Sequence, residues 1–293
     1  MSHLRPQLLL LGLFLLSKES SSLKSMVIKV PEAVRAGDSV TLSCQYDLED
    51  VALYSIKWYW NEEEFYRYIP KDLPPYKSFP MRFINVDLST SGEQNVTLRH
   101  VQRQLTGDYK CEVSSDGPLF HTEIRVAHLI VADLPLDDPV LNIRDTKVEV
   151  GKPIRLECTQ SGSHPAANIS WFINNKQVSD NSDFISIQAT EVGRDEGDLQ
   201  SARSRISILT NKSHFNQSAM TIRCEASIYK IWKRSVESTI RDDSPKLAQV
   251  LGSTLSQSQK DPILEPANSA PWTTRHAHWT VLLGLVCATV ACR

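Results

Sequence analysis

The chain has 293 residues, of which 41% are hydrophobic and 23% charged, with a formal net charge of -2. That balance suits a folded chain with a substantial core. Charges of both signs are interspersed, which gives no electrostatic reason to expect nucleic acid or an anionic membrane surface as the partner.

Residues 1–22 read as a secretory signal peptide: His3 and Arg5 precede the apolar run Leu8 to Leu16, and Ser20 and Ser22 stand at a cleavage spacing. The run is too short to cross a hydrocarbon core of about 30 Å as a helix. Secretion implies an oxidising compartment, where cysteines pair.

Cys44, Trp58 and Cys111 recur at nearly the same spacing as Cys158, Trp171 and Cys224. Val40, Leu42 and Cys44 alternate with polar residues as a half-buried strand does, and Ile154, Leu156 and Cys158 repeat the pattern. Each run follows a glycine, Gly37 or Gly151. A cystine joining strands B and F, with a Trp on strand C packed against it, is the core of an immunoglobulin sandwich. The expected fold is therefore all-β: two tandem immunoglobulin-like sandwiches, the first variable-type and the second irregular, followed by a flexible stalk. The expected pairs are Cys44 with Cys111 and Cys158 with Cys224, each closing a loop of roughly seventy residues and stabilising by about 4 kcal/mol in the chain-entropy view.

The first domain spans 23–132. Its strand C is Tyr54 to Trp60, C' Glu64 to Tyr68, E Val96 to Val101, F Tyr109 to Val113 and G Phe120 to Val126, with Lys71 to Pro80 an exposed loop. Tyr109, two residues before Cys111, is placed to form a tyrosine corner, although Leu105 stands where an Asp is frequent. Leu134 to Pro139 is a short proline-containing linker that limits swing between domains. The second domain spans 133–241. Ile222 holds the corner position, and Ser179 to Ser201 reads as loop with one strand at Phe184 to Ile187. Residues 242–268 are a Ser-, Gln- and Pro-rich stalk. Residues 269–293 have the order of a removable lipid-anchor signal: small residues at Asn268 to Ala270, a polar spacer, then the apolar run from Trp279 to Cys292. Attachment of a GPI anchor at or next to Asn268 is expected, so that the membrane is reached only through lipid; the competing readings are a short tilted span and a secreted form with an incidental apolar end. Sequons at Asn95, Asn168, Asn211 and Asn216 suit the secretory route.

No catalytic constellation stands out and nothing calls for a cofactor. There is no G-x-S-x-G elbow, no phosphate loop, no H-E-x-x-H and no C-x-x-C. His276 and His278 lie in the tail, and Glu191 to Asp198 lacks the ligand spacing of a calcium loop.

The chain's aromatic side chains concentrate on strands C and C'. With Trp58 inward, alternation places Ser55, Lys57 and Tyr59 outward, beside Lys110 and Glu112 of strand F and Glu123 and Arg125 of strand G. On C', either Phe65 with Arg67 or Tyr66 with Tyr68 faces out, and both choices present an aromatic. The candidate partner-binding set is thus Lys57, Tyr59, Tyr66, Arg67, Tyr68, Lys110, Glu112, Glu123 and Arg125, because protein interfaces favour Tyr, Trp and Arg.

Three segments carry a resemblance: Cys44 to Glu49, Leu53 to Pro70, and Phe79-Pro80 with Asn85 to Leu88. In them the first domain resembles the beaten path (Beat) family of neuronal immunoglobulin proteins, though Met81-Arg82-Phe83 stands where that family often has a small Gly-containing turn. The resemblance implies binding to sidestep-family immunoglobulin receptors on cell surfaces, in axon guidance and synaptic partner choice. The competing expectation is a humoral or immune-type protein that takes a non-neuronal or glycan ligand on the loops at the sandwich end.

Overall fold

A computed structural model describes residues 24–245 apart from 50, 119, 181 and 182. The expected signal peptide, Asn268 and the tail, together with nearly all of the stalk, lie outside the described residues.

In the first sandwich, β1 (Lys24–Lys29), β3 (Val40–Asp47) and β7 (Asn95–Leu98) form one sheet in the order β1-β3-β7. The other sheet takes β2 (Ala33–Arg35), β4 (Leu53–Trp60), β5 (Glu63–Tyr68), β6 (Tyr76–Ser78), β8 (Gly107–Ser115) and β9 (Thr122–Ala132), in the order β2-β9-β8-β4-β5-β6. The strands form where apolar residues recur at every second position. Val40, Leu42 and Cys44 of β3 are buried between exposed or half-buried neighbours, and Tyr109, Cys111 and Val113 of β8 do the same from the facing sheet. The Cys44–Cys111 cystine crosses between them. Trp58, Leu42, Leu98 and Tyr109 are fully buried around it, each such side chain stabilising the fold by about 1.5 to 3 kcal/mol. The tyrosine corner forms: the Tyr109 hydroxyl donates to the Leu105 carbonyl at 2.9 Å. Gly107 opens β8 because a Cβ there would stand 2.7 Å from Asn61 Oδ1 and 3.0 Å from Trp60 Nε1.

The expected loop Lys71 to Pro80 contains β6, which extends the sheet by pairing antiparallel with β5, Arg67 opposite Lys77. Its prolines had argued for a loop, but Pro74, Pro75 and Pro80 flank the three strand residues without interrupting them.

In the second sandwich, β10 (Val140–Ile143), β12 (Pro153–Ser163), β17 (Gln200–Leu209) and β15 (Ile185–Ile187) lie in that order, with β16 (Glu191–Arg194) also paired to β17. Facing them are β11 (Lys147–Val148), β19 (Trp232–Asp242), β18 (Ala219–Ile228), β13 (Asn168–Ile173) and β14 (Lys176–Val178). Cys158 and Cys224 form the second cystine, and the Trp171 indole donates to Ser204 Oγ at 3.0 Å. Ser179 to Ser201 is less of a loop than expected, since β16 lies within it. All four β16 residues are exposed, so the strand leaves no trace of periodicity; its ladder to β17, Glu191 opposite Arg203, defines it instead.

A third apolar cluster joins the end of β9 to the second sandwich: Ala132 and Leu134 pack with Ala167, Ala226, Ile228, Ile231 and Trp232. Asp133 and His164 exchange both backbone bonds, at 2.8 and 3.0 Å, and Arg103 pairs with Asp133 at 3.3 Å. The linker is therefore docked by packing and by hydrogen bonds, a firmer restraint than its prolines alone supply.

Candidate functional site

The site is the outer face of the sheet that contains β4, β5, β8 and β9. Directly opposed residues share a face, so the ladders fix its rows. Arg67, Lys57, Glu112 and Ile124 form one row, and Glu64, Tyr59, Lys110 and Val126 the next.

Its charges are paired within the sheet. Lys57 Nζ lies 2.7 Å from Glu112 Oε1, and the Tyr59 hydroxyl donates to Glu112 Oε2 at 3.2 Å. Arg67 grips Glu64 through two bonds of 2.7 and 2.8 Å. Lys110 pairs with Glu62 while its ammonium sits 4.6 Å above the Tyr59 ring. Arg67 also lies over Phe79, 5.4 Å from the ring centre. Burial first, then the Glu112 carboxylate, pushes the Tyr59 phenol well above its ordinary pKa, so it stays a neutral donor at every physiological pH. The Glu64 bonds hold the Arg67 guanidinium even more firmly charged. Beside this network Ile124 and Val126 are 44% and 56% exposed. The arrangement is a clamped, half-buried aromatic with two bare aliphatic side chains two strands away on the same face, beyond Lys110 and Glu112, so a partner that covers it desolvates apolar area while the charges already have counter-ions.

Of the expected binding residues, Lys57, Tyr59, Arg67, Lys110 and Glu112 come together here. Tyr66 does not belong. It is fully buried and its hydroxyl donates to the Gly92 carbonyl at 2.9 Å. The β4–β5 ladder passes from Trp58 opposite Tyr66 to Tyr59 opposite Glu64, which leaves Phe65 as an extra residue. This bulge lets consecutive Phe65 and Tyr66 both enter the core. Tyr68, opposite Ile56, packs half-buried on the inner side.

Glu123 and Arg125 are a second correction. They stand opposite Val113 and Cys111, the core-facing residues of β8, and pair with each other at 2.8 Å. Ile124 and Val126 take the outward places. Period-two alternation within β9 is legible in sequence, but its parity relative to β8 depends on the hairpin register, and a shift of one residue exchanges the faces. Ser55, which alternation had placed outside, is buried; it keeps the parity of Lys57 in the β4–β8 ladder, which is irregular only between Leu53 and Ser55.

Asn95, Asn168 and Asn216 are exposed, and Asn211 is half-buried, its Oδ1 capping a short 3-10 turn through the backbone N–H groups of Ser213 and His214. Asn95 lies on β7 of the opposite sheet, so no sequon falls on the candidate face.

No protein-family model matches the chain. Cell adhesion molecule 1 of Mus musculus is 29% identical over 144 residues, 48% of this chain and 28% of that protein. The low affinity immunoglobulin gamma Fc region receptor III-A of Bos taurus is 29% identical over 170 residues, 55% of this chain and 53% of the receptor. The chain thus spans between about a quarter and a half of the length of these relatives. Among solved structures, murine CEACAM1b aligns with a TM-score of 0.50 at 19% identity, over 75% of this chain and 100% of that one, a likeness of fold.

Proposed function

We propose that the protein is an immunoglobulin-superfamily ligand of the cell surface that binds another immunoglobulin ectodomain through the Tyr59 face of its first sandwich. The observation that carries this reading is the face itself: an aromatic held by Glu112 and Lys110, exposed Ile124 and Val126 beyond them on the same face, and no sequon among these residues. Hot spots favour such clamped aromatics at the centre of a patch. The cell-adhesion relative and the two cystines, which form in oxidising compartments, support the extracellular setting. The sequence resemblance of the first domain supplies the partner class, sidestep-family receptors, and with it a role in axon guidance and synaptic partner choice. The order of small residues, spacer and apolar run from Asn268 supports a lipid anchor.

A pairwise screen of the protein against cell-surface immunoglobulin ectodomains tests the reading. Capture by a sidestep-family ectodomain, weakened roughly thirtyfold by Tyr59→Ala, is expected. Capture by none of them, or capture indifferent to Tyr59, contradicts it. Treatment of expressing cells with a phosphatidylinositol-specific phospholipase tests the anchor separately: release is expected, and retention while a known GPI-anchored protein is shed refutes it.

A further inference from the structure

The second sandwich presents a face of different chemistry. On the sheet β10-β12-β17-β15 the outward residues are read from the ladders: Asn142, Glu157 and Arg205 in one row, Arg155, Ser207 and Ser186 in the next. Arg203 stands one row further along, opposite Glu191, and Arg144 follows Ile143 at the end of β10. A depression of about 750 Å³ opens on this face and reaches in toward Ile240 of the facing sheet; four cations, Arg144, Lys147, Arg155 and Arg205, line it against two acids, Asp145 and Glu157, with neutral Asn142 and Gln188 beside them.

The ion pairs there leave positive charge over. Arg205 is held by Glu157 and Glu191, each at 2.7 Å, and Arg203 reaches Glu157 at 3.8 Å. Arg144 and Arg155 are exposed, and among the described residues neither has a carboxylate at ion-pair distance. Sequon positions leave this face bare as well. Asn168 begins β13 of the opposite sheet, and Asn211 and Asn216 lie in the connection between β17 and β18. Arginine forks match planar or tetrahedral oxyanions with paired N–H donors, and the amides and hydroxyls between them suit sugar hydroxyls.

We propose that this arginine-rich face of the second sandwich binds a sulfated glycosaminoglycan, with Arg144 and Arg155 as the cations that meet its sulfates. Four strands about 4.8 Å apart give a track roughly 14 Å wide, on which a linear polyanion lies across strands. The site is separate from the Tyr59 face and does not depend on the protein partner proposed above.

The test uses full-length protein extracted from expressing cells in detergent and applied to immobilised heparin. Replacement of both arginines, Arg144→Ala with Arg155→Ala, is expected to lower affinity roughly tenfold and to move elution to lower salt. The pair Lys212→Ala with Lys230→Ala removes equal charge elsewhere and is expected to leave elution unchanged. Equal loss in both pairs, or no loss in the arginine pair, overturns the proposal. So does arginine-dependent sedimentation with phosphatidylserine vesicles when heparin retention is unaffected, which would make the ligand a lipid surface. Both arginines are exposed and unpaired, and a charge-free Arg144→Gln with Arg155→Gln pair repeats the test should the alanine protein fail to express.

Discussion

In the first sandwich Trp58 packs between Cys44–Cys111 and a core rich in aromatics, while in the second Trp171 packs beside Cys158–Cys224 among Ile, Leu and Ala and donates to Ser204. Tyr109 closes a corner onto Leu105 in the first, and buried Ile222 takes the equivalent place in the second. Outside the cores the sandwiches diverge further. The sheet of β8 carries Tyr59 with Ile124 and Val126, whereas the corresponding sheet of β18 carries Phe172 stacked under Arg223 at 4.4 Å and the sequon at Asn168. The repeated Cys and Trp frame sets only the inside; what each domain meets is decided by residues the frame leaves free.

The largest expected effect separates the domains at their cystines. Loss of a native cystine from a small secreted domain costs about 2 to 5 kcal/mol. Cys44→Ala is expected to abolish secretion or receptor binding. Cys158→Ala is expected to unfold the second sandwich first, leaving the protein that does reach the surface able to bind. Mapping by mass spectrometry checks the premise, and a Cys44–Cys158 link would break it.

Tyr109→Phe removes the corner hydrogen bond and leaves the ring, at an expected cost of about 1 kcal/mol in urea unfolding. Ile222→Val, at the matching site without a hydroxyl, is expected to cost about as much through lost packing alone. A null result for Tyr109→Phe would show that the corner bond is dispensable and the contrast between the domains superficial.

A smaller contrast lies in acid. The Asp87 carboxyl is drawn down to about 2, first by the Ser89 hydroxyl and also by Thr90, the Arg99 guanidinium and the Ser89 backbone N–H. Its folded pKa lies below the unfolded value of about 3.9, so its contribution is fully present above that value and is lost as pH falls through about 2. Asp87→Asn is therefore expected to lower the stability of the first sandwich at neutral pH and to flatten its loss between about pH 4 and 2. An unchanged acid profile would remove Asp87 from the account.

Much of this was legible in the sequence. Cysteine and tryptophan spacing gave the two sandwiches and both cystines, and Tyr109 announced its corner. Alternation from Trp58 correctly turned Lys57 and Tyr59 outward, because β4 keeps a regular register with β8 from Ser55 to Trp60. Errors gathered where register slips. The extra residue at Phe65 carried Tyr66 into the core, and the β8–β9 hairpin turned Ile124 and Val126 outward in place of Glu123 and Arg125. Exposed β16 escaped notice because an edge strand with both faces in water carries no apolar period. The arginine face needed three separate strands to be aligned before its charge was visible as one surface.

The most direct test of the central claim compares neighbours on β9 whose side chains leave opposite sides of the sheet. With the sidestep-family receptor identified by the screen, surface plasmon resonance is run on Ile124→Asp and on Arg125→Ala. Ile124→Asp puts a charge into the apolar part of the face and is expected to weaken binding by thirtyfold or more, roughly 2 kcal/mol. Arg125→Ala is expected to leave affinity within about twofold, as for a residue outside the interface. Wild-type affinity for Ile124→Asp, with binding lost in Arg125→Ala, would contradict the account and move recognition to another face of the sandwich.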